Sequence, residues 1–366
     1  MADLQTRGNS VLPNIVDAVG WTPCVRLNKV PQEYGLKCEV VAKCEFLNPA
    51  GSVKDRIGRQ MVIDAEASGR IKKGDTLVEA TSGNTGVGMS MTAAALGYNM
   101  VITMPVKMSH EKQVVLESLG ARVIRTPNVA FVHPDSLISV ARRMAATEPN
   151  THLLDQYTNP SNWESHYHHT GEEIYQQCGG RIDMIIIAAG TGGTMTGVAK
   201  KLKEKLPHVI VVAADPVGSI LADPANPGPS QPYQVEGIGY DFVPVVCHRQ
   251  YVDKWVKTDD AASFELARKL QRREGLLVGG SSGSAMQAVI AAAKDLRADQ
   301  RCVVLFADNI RNYLTKFVDD GWMQEKGFFP AVAGTRPTYD ALVARNKELE
   351  AELERLRNEA AKKPSA

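Results

Sequence analysis

Apolar and polar positions alternate in blocks along the chain, and these blocks predict strands and helices in turn. Short apolar runs, such as residues 38–46, 76–80 and 183–190, are typical of buried strands. Each is followed by a segment in which apolar residues recur every three or four positions, as on the buried face of a helix. This repeated alternation predicts parallel βαβ units, and therefore an α/β fold with mostly parallel sheets covered by helices.

The segment NPAGSVKDRIGRQM, residues 48–61, follows the first of these strands and contains Lys54 near its centre. Ser52 and Asp55 fit an S-x-x-D helix start, which places Lys54 in the first helical turn. The positive end of the helix dipole disfavours another positive charge, so a partly buried lysine there has a lowered pKa and is nucleophilic. Most lysines are solvated surface charges, so other motifs must also indicate a ligand site before Lys54 can be interpreted as reactive.

Three glycine-rich turns stand before predicted helices: TSGNTG (81–86), GTGGT (190–194) and GGSSGS (279–284). Free N–H groups at such helix starts bind anions. GTGGT has neither the ending of a P-loop nor a third glycine at dinucleotide spacing, so it predicts a phosphate site of another kind. TSGNTG suits a carboxylate. A phosphate, a carboxylate and a reactive lysine together predict pyridoxal 5'-phosphate, held by Lys54 as a Schiff base, and an amino-acid substrate.

Composition narrows the partners and the compartment. The 366 residues are 44% apolar, which is enough for two lobes. Lys plus Arg (42) nearly equals Asp plus Glu (41), so no charged surface for nucleic acid or an anionic membrane is expected. Scattered cysteines and a polar N-terminus predict a cytoplasmic protein with reduced thiols. Gly97 and Asn99 break the uncharged run 87–106, which predicts a buried helix and strand rather than a membrane span.

Two further segments have alternative interpretations. His166, His168 and His169 could suggest a metal, but no cysteine at ligand spacing is nearby, and a helix with its polar ring in solvent is expected instead, without metal. Residues 331–366 carry apolar positions at steps of three and four, with Asn346 among them, which predicts a short coiled coil. A solvated amphipathic helix or a disordered tail explains the pattern equally well. The positions are Tyr339, Leu342, Asn346, Leu349, Leu353 and Leu356.

Seven segments resemble the catalytic core of the cystathionine β-synthase family: KCEFLNPAGSVKDR, EATSGNTGVGMS, DQYTNP, AAGTGGTMTGVAKKLKEK, EGIGYDFVP, EGLLVGGSSGS and RNYLTKFVDDGWMQEKGFF. The resemblance covers about residues 11–330 and implies pyridoxal phosphate fold type II, which is tryptophan synthase β-like. It implies a larger lobe from residues 11–46 and 159–330 and a smaller, mobile lobe from residues 47–158. Residues 1–10 are expected to be a flexible N-terminus and 331–366 a helical tail.

The resemblance also implies roles for individual residues. Lys54 forms the Schiff base, Asn84 bonds the cofactor's ring hydroxyl and Ser281 faces its pyridine nitrogen. The cofactor's phosphate is held by Gly190, Thr191, Gly192, Gly193 and Thr194. The substrate is bound by Thr81, Ser82, Gly83, Thr85, Gln156, Tyr157, Gly239 and Tyr240. For Tyr240, simple packing is the competing interpretation.

The serine at position 281 affects the expected chemistry. A hydroxyl cannot keep the pyridine nitrogen protonated, so the ring is a weaker electron sink and elimination from Cβ is favoured over transamination. The implied reaction condenses L-serine with L-homocysteine to L-cystathionine and water through an aminoacrylate intermediate, with Lys54 as base and acid. The alternative is a cysteine synthase, which uses O-acetylserine or serine with sulfide and shares the lysine and both glycine loops. A serine or threonine dehydratase and a non-catalytic partner protein agree less well with the motifs.

The animal members of the family add a haem-binding N-terminal extension and a regulatory domain for S-adenosylmethionine. Residues 1–10 contain no Cys or His, and the segment after residue 330 is short. Neither a haem nor an S-adenosylmethionine site is therefore expected. The resemblance implies a homodimer or a higher homo-oligomer.

Overall fold

Two sheets and the helices that cover them position the functional residues in this computed structural model. It describes residues 11–81, 83–106, 110–129, 132–229, 231–329, 343, 345–351 and 353–355. By their internal contacts, residues 1–312 form one unit and residues 313–366 another. The two units are described separately.

The described strands form one sheet of six and one of four, with orders β1-β2-β10-β7-β8-β9 and β5-β4-β3-β6. All neighbours are parallel except β1 and β2. The strands are β1 (Cys24–Arg26), β2 (Glu39–Cys44), β3 (Thr76–Ala80), β4 (Asn99–Pro105), β5 (Arg122–Thr126), β6 (Thr151–Leu153), β7 (Met184–Ala188), β8 (Ile210–Pro216), β9 (Lys254–Thr258) and β10 (Arg301–Phe306).

Helices alternate with these strands along the chain. The α-helices are α1 (Val30–Glu33), α2 (Lys54–Ala67), α3 (Asn84–Leu96), α4 (His110–Ser118), α5 (Leu137–Thr147), α6 (Ser161–Ser165), α7 (Gly171–Gln177), α8 (Gly193–Lys205), α9 (Asp260–Lys269), α10 (Gly280–Ala292) and α11 (Asp320–Glu325). Short 3-10 helices span Ile15–Ala18, Glu45–Leu47, Arg249–Tyr251 and Ile310–Tyr313, and π-helical turns span His166–Thr170 and Leu270–Glu274.

The predicted α/β fold with mostly parallel sheets is confirmed. The central strands are buried on both faces, as their continuous apolar sequences require; in β7, for example, Ile185 and Ile186 point to opposite faces and both are fully buried. The sequence analysis did not predict β1, α1 or β9. The first two are only three and four residues long, and β9 is a partly exposed edge strand whose lysines hide the apolar pattern.

Helices α2 and α3 cross in backbone contact, and two glycines make this possible. A Cβ atom on Gly58 would lie 2.6 Å from the carbonyl carbon of Gly88, and one on Gly88 would lie 2.7 Å from the carbonyl oxygen of Lys54. Any larger residue at either position would force the helices apart. Since Lys54 and Asn84 begin these two helices, the crossing determines where both side chains lie.

Residues 313–366 contain α11, which begins after Asp319, and further helical residues at 345–351 and 353–355. The Asp319 carboxylate caps α11 by accepting the N–H of Trp322 at 2.8 Å. Leu349 and Leu353 are exposed, whereas Tyr339, Leu342 and Leu356 lie outside the described residues. The coiled coil therefore stays a prediction. No helix in the described ranges is long and apolar enough to cross a bilayer.

Candidate active site

The turn before α2 places Lys54 at the start of a helix, as predicted. The hydroxyl of Ser52 accepts the N–H of Lys54 at 3.1 Å, and the Asp55 carboxylate accepts the N–H of Ala50 at 2.6 Å. Gly51 lies between them with φ +89°, a conformation that other residues rarely adopt. These contacts hold the first turn of α2 in one conformation.

The amine of Lys54 titrates close to neutral pH. Burial lowers its pKa from 10.5 to about 8, against the negative charge of Asp308, which raises it. The amine forms no hydrogen bond or salt bridge with the described residues. A substantial fraction is therefore neutral near physiological pH and can act as a nucleophile or a base.

Residues 307–309, directly after β10, connect the parts of the site. The carbonyl of Ala307 accepts the N–H of Val53 at 2.8 Å, and the carbonyl of Asp308 accepts the N–H of Gly279 at 2.9 Å. The Asp308 carboxylate accepts a hydrogen bond from the Asn84 side chain at 2.8 Å. The Lys54 turn, the start of α3 and the GGSSGS turn thus meet at one point.

The sequence analysis missed Asp308 and Asn312, which are the two partners of the Asn84 side chain. Asn312 donates to the side-chain oxygen of Asn84 at 2.9 Å, so the Asn84 amide is fixed at both ends. An acid just beyond an apolar strand is a signal that could have been read, because side chains at the carboxyl ends of parallel strands commonly form the site.

Ser281 lies in the first turn of α10 and is buried. Its hydroxyl has no hydrogen-bond partner in the described part of the chain. The hydroxyl is therefore available to a ligand atom. The contact of Ser281 with a ring nitrogen stays a prediction.

The GTGGT loop joins β7 to α8 and is packed so closely that side chains would not fit. A Cβ atom on Gly193 would lie 1.9 Å from the side-chain oxygen of Asn162, and one on Gly190 would lie 2.4 Å from the carbonyl oxygen of Gly237. That Asn162 oxygen is buried without a hydrogen-bond partner. Gly192 has φ +83°, and Thr191 and Thr194 are buried. That the N–H groups of this loop and of the α8 start hold a phosphate stays a prediction.

The histidine cluster corrects one expectation. His166 does not face solvent: it is fully buried, with its ring 2.9 Å from the hydroxyl of Thr170 and 3.1 Å from that of Thr194. Burial holds its pKa well below the usual range, so the ring is neutral. The segment packs against α8 at Gly197, whose Cβ would lie 2.1 Å from the Trp163 carbonyl oxygen. Among the described residues, no three His, Cys, Asp or Glu side chains are grouped to hold a metal.

The TSGNTG loop contacts Gln156. The hydroxyl of Thr85 donates to the side-chain oxygen of Gln156 at 2.7 Å, and the hydroxyl of Thr81 accepts the N–H of Gly83 at 3.2 Å. Ser82 lies outside the described residues. The structure thus brings the loop after β3 and the DQY segment together.

Tyr157 and Tyr240 lie edge to face, with ring centroids 5.7 Å apart, and Phe242 packs against both rings. The N–H of Gly239 donates to the carbonyl of Ala189 at 2.8 Å, which fixes the EGIGYDF loop beside the GTGGT loop. Both loops therefore lie at the carboxyl end of β7. Burial raises the pKa of both tyrosines, so their hydroxyls stay protonated and can donate hydrogen bonds.

Comparisons with known proteins agree with this geometry. A protein named cystathionine beta-synthase from Dictyostelium discoideum is 58% identical to this chain over 320 residues, which are 87% of this chain and 64% of the relative. One of the same name from Mus musculus is 53% identical over 326 residues, which are 88% of this chain and 58% of the relative. The chain thus spans less than two thirds of the length of these relatives. A crystal structure of an O-acetylserine dependent cystathionine beta-synthase from Helicobacter pylori is 33% identical, with a TM-score of 0.77, and the match covers 84% of this chain and 98% of that one.

The sequence pattern of the family described as pyridoxal-phosphate dependent enzyme matches residues 15–308. That range contains both sheets, Lys54, the three glycine-rich turns and Asp308. The chain belongs to the pyridoxal-phosphate dependent enzyme family.

Proposed function

We propose that this chain condenses L-serine with L-homocysteine to L-cystathionine and water, a β-replacement that depends on pyridoxal phosphate. The observation that carries the proposal is the meeting of Lys54, Asn84 and the GGSSGS turn around Asp308. The identity to relatives named cystathionine beta-synthase supports this activity over other reactions of the family.

The residues present fit the cofactor. The tightly packed glycines of residues 190–194 and the N–H groups at the start of α8 mark the loop that would hold the phosphate. Lys54 would hold the aldehyde carbon, Asn84 the ring hydroxyl, and Ser281 would face the ring nitrogen. When bound, pyridoxal phosphate withdraws electrons from the amino acid and stabilises negative charge at Cα.

The protein's own groups would orient the substrate and move protons. The N–H groups of the TSGNTG loop and the hydroxyl of Thr85 are suited to the substrate carboxylate. Lys54 would take the Cα proton and return one after the thiol has added, because its pKa of about 8 allows both directions near neutral pH. Tyr157, Gly239 and Tyr240 would line the path of the thiol.

One experiment identifies both the first substrate and the thiol. The solved relative is O-acetylserine dependent, so an acetate leaving group is the second candidate for the first substrate. Sulfide is the second candidate thiol, as in a cysteine synthase. The wild-type holoenzyme is given L-serine or O-acetylserine with L-homocysteine or sulfide, and the products are quantified by mass spectrometry, with Lys54→Ala as the inactive control.

The proposal expects cystathionine from L-serine and L-homocysteine at the highest kcat/KM. Faster cysteine formation from sulfide would identify a cysteine synthase. Keto acid formed from L-serine at the same rate with or without a thiol would identify a dehydratase. No product from any combination would support a non-catalytic role.

We also propose that residues 47–158 form a smaller lobe that moves toward the rest of residues 11–330 when the first substrate binds. The TSGNTG loop follows a strand of the four-stranded sheet and the GTGGT loop a strand of the six-stranded sheet, so such a movement would bring substrate and cofactor loops together. Limited proteolysis with and without L-serine tests this, and equal cleavage rates would contradict it.

The proposed setting is a homo-oligomer in the cytoplasm. The six cysteines are free thiols in the structure, which suits a reducing compartment. Light scattering of the purified protein, which gives its mass in solution, tests the oligomer, and cell fractionation tests the location.

A further inference from the structure

Glu79, near the end of β3, is a fully buried acid to which the sequence analysis gave no role. Its two carboxylate oxygens accept the N–H groups of consecutive residues, Asp155 at 3.0 Å and Gln156 at 3.1 Å. A carboxylate that accepts two neighbouring backbone N–H groups holds that backbone in one position and orientation.

The backbone held by Glu79 has an unfavourable conformation. Asp155 has φ +61°, in the left-handed region that non-glycine residues seldom occupy. Its own side chain accepts the N–H of Tyr157 at 3.0 Å, and its carbonyl accepts the N–H of Asn159 at 2.9 Å. Such a turn persists only where surrounding contacts enforce it, and Glu79 supplies two of them.

Gln156 links the two ligand loops from this turn. Its side-chain oxygen accepts the hydroxyl of Thr85 in the substrate loop at 2.7 Å. Its backbone carbonyl accepts the Asn162 amide at 2.7 Å, and the same amide nitrogen lies 3.3 Å from the hydroxyl of Thr191 in the phosphate loop. A shift of the Gln156 backbone would therefore alter the substrate loop directly.

We propose that Glu79 is a positioning residue for the first substrate: its carboxylate fixes Gln156, and Gln156 fixes the TSGNTG loop through Thr85. Glu79 itself touches no reacting atom. The inference rests on the proposed function, in which that loop binds the carboxylate of the amino acid.

The first test is Glu79→Gln, compared with the wild type at pH 9, because burial raises the pKa of Glu79 to about 8 and the carboxyl group is mostly ionised there. The substitution keeps the side-chain shape but places an NH₂ group against one of the two backbone N–H groups. The expected result is a KM for L-serine raised about tenfold, because one buried hydrogen bond is lost and two donors face each other. The kcat is expected to change less than about threefold, and the cofactor content not at all. An unchanged KM would overturn the proposal.

A double-mutant comparison tests whether Glu79 acts through Gln156. In a Gln156→Ala background, Glu79→Gln is expected to add no further increase in KM, since the group it positions is gone. If the KM of the double variant rose by the product of the two single-variant factors, Glu79 would act independently of Gln156. The matched control is Asp75→Asn, a buried acid just before the same strand that accepts the N–H of Lys72 at 3.0 Å and does not contact Gln156. This control is expected to lower Tm while the KM stays constant.

Hydrogen–deuterium exchange tests the contact without turnover. The amides of Asp155 and Gln156 are expected to be protected in the wild-type holoenzyme and to exchange at least about tenfold faster in Glu79→Gln and in Glu79→Asp. Unprotected amides in the wild type would overturn the proposal even if both variants failed to fold. If the wild type formed no product, the proposed function would be wrong, but the role of Glu79 could still be tested. The dissociation constant of L-serine, measured from the change in cofactor absorbance, would then replace KM in the same comparison of variants.

Discussion

Lys54 and Arg56 are two residues apart in the first turn of α2, yet their surroundings differ in charge. Arg56 lies in a buried network and contacts Glu45 at 2.6 Å and Glu173 at 2.6 Å, while Lys43 contacts Glu173 at 2.7 Å. Lys54 has no ion pair with a described residue and only the field of Asp308 nearby. Residues at i and i+2 point to opposite sides of a helix, so one turn serves both environments.

The pKa values record this difference. Burial alone would raise the pKa of Glu45 and Glu173, but Arg56 outweighs it and holds both below the usual range. Around Lys54 the opposing charge of Asp308 is too weak to outweigh burial, so the pKa of Lys54 falls to about 8. Glu45 and Glu173 therefore stay ionised across the physiological pH range, whereas Lys54 can gain and lose a proton within it. Five predictions test this contrast.

The largest expected effect is that of Lys54→Ala on activity. Since Lys54 would both hold the cofactor and move the proton, kcat is expected to fall about 10³-fold or more. The free energy of unfolding is expected to stay within about 1 kcal/mol, because no partner loses a contact. Product assays and urea denaturation measure the two quantities. Residual activity within tenfold of the wild type would remove Lys54 from the mechanism.

Glu173→Gln is expected to lower the free energy of unfolding by about 3–5 kcal/mol, because Arg56 and Lys43 lose a buried counter-charge. The control is Glu172→Gln, one residue earlier, whose weak pairing with Lys201 is partly exposed and should contribute less than about 1 kcal/mol. Equal urea midpoints for the two variants would contradict the contrast.

The same carboxylates make the free energy of unfolding depend on pH. The pKa of Glu173 is depressed in the folded state from 4.5, so its stabilisation is present above that value and is lost as pH falls below it. The wild type is therefore expected to lose more stability than Glu173→Gln between pH 5 and pH 3, and an equal loss would argue against the network.

The reaction of the apoprotein with pyridoxal phosphate is expected to accelerate about tenfold from pH 7 to pH 9 and then level off, because the neutral amine reacts and its pKa is about 8. An ordinary lysine with a pKa of 10.5 would continue to accelerate above pH 9. Stopped-flow absorbance follows the rate, and continued acceleration would show that burial does not act on Lys54 as described.

The smallest expected effect is that of Asp308→Asn on this pH profile. Removing the one charge that raises the Lys54 pKa should move the midpoint to lower pH, by less than about one unit. Asp295→Asn, at an exposed position, should leave the midpoint unchanged. A shift to higher pH would contradict the assigned electrostatics.

The two kinds of site residue differed in how well the sequence revealed them. Lys54, Asn84 and the glycine loops are local signals, since each stands between a strand and a helix within a few residues. Asp308 and Glu79 carry a weaker signal, because each is only an acid at the end of a strand. The His166 prediction failed for a related reason: the helical pattern did not reveal that Gly197 lets α8 pack directly over that ring.

The sequence by itself determined the alternation of most strands with helices, the mostly parallel sheets and the position of Lys54 at a helix start, because these depend on local patterns of apolar residues, glycine and charge. Only the tertiary structure decided which acids face which cations and backbone groups. The parallel register of β10 and β2 pairs Phe306 with Cys44, and two residues farther on Asp308 pairs with Ser52 beside Lys54. Contacts between such distant residues depend on sheet register and helix crossing, which no local pattern specifies.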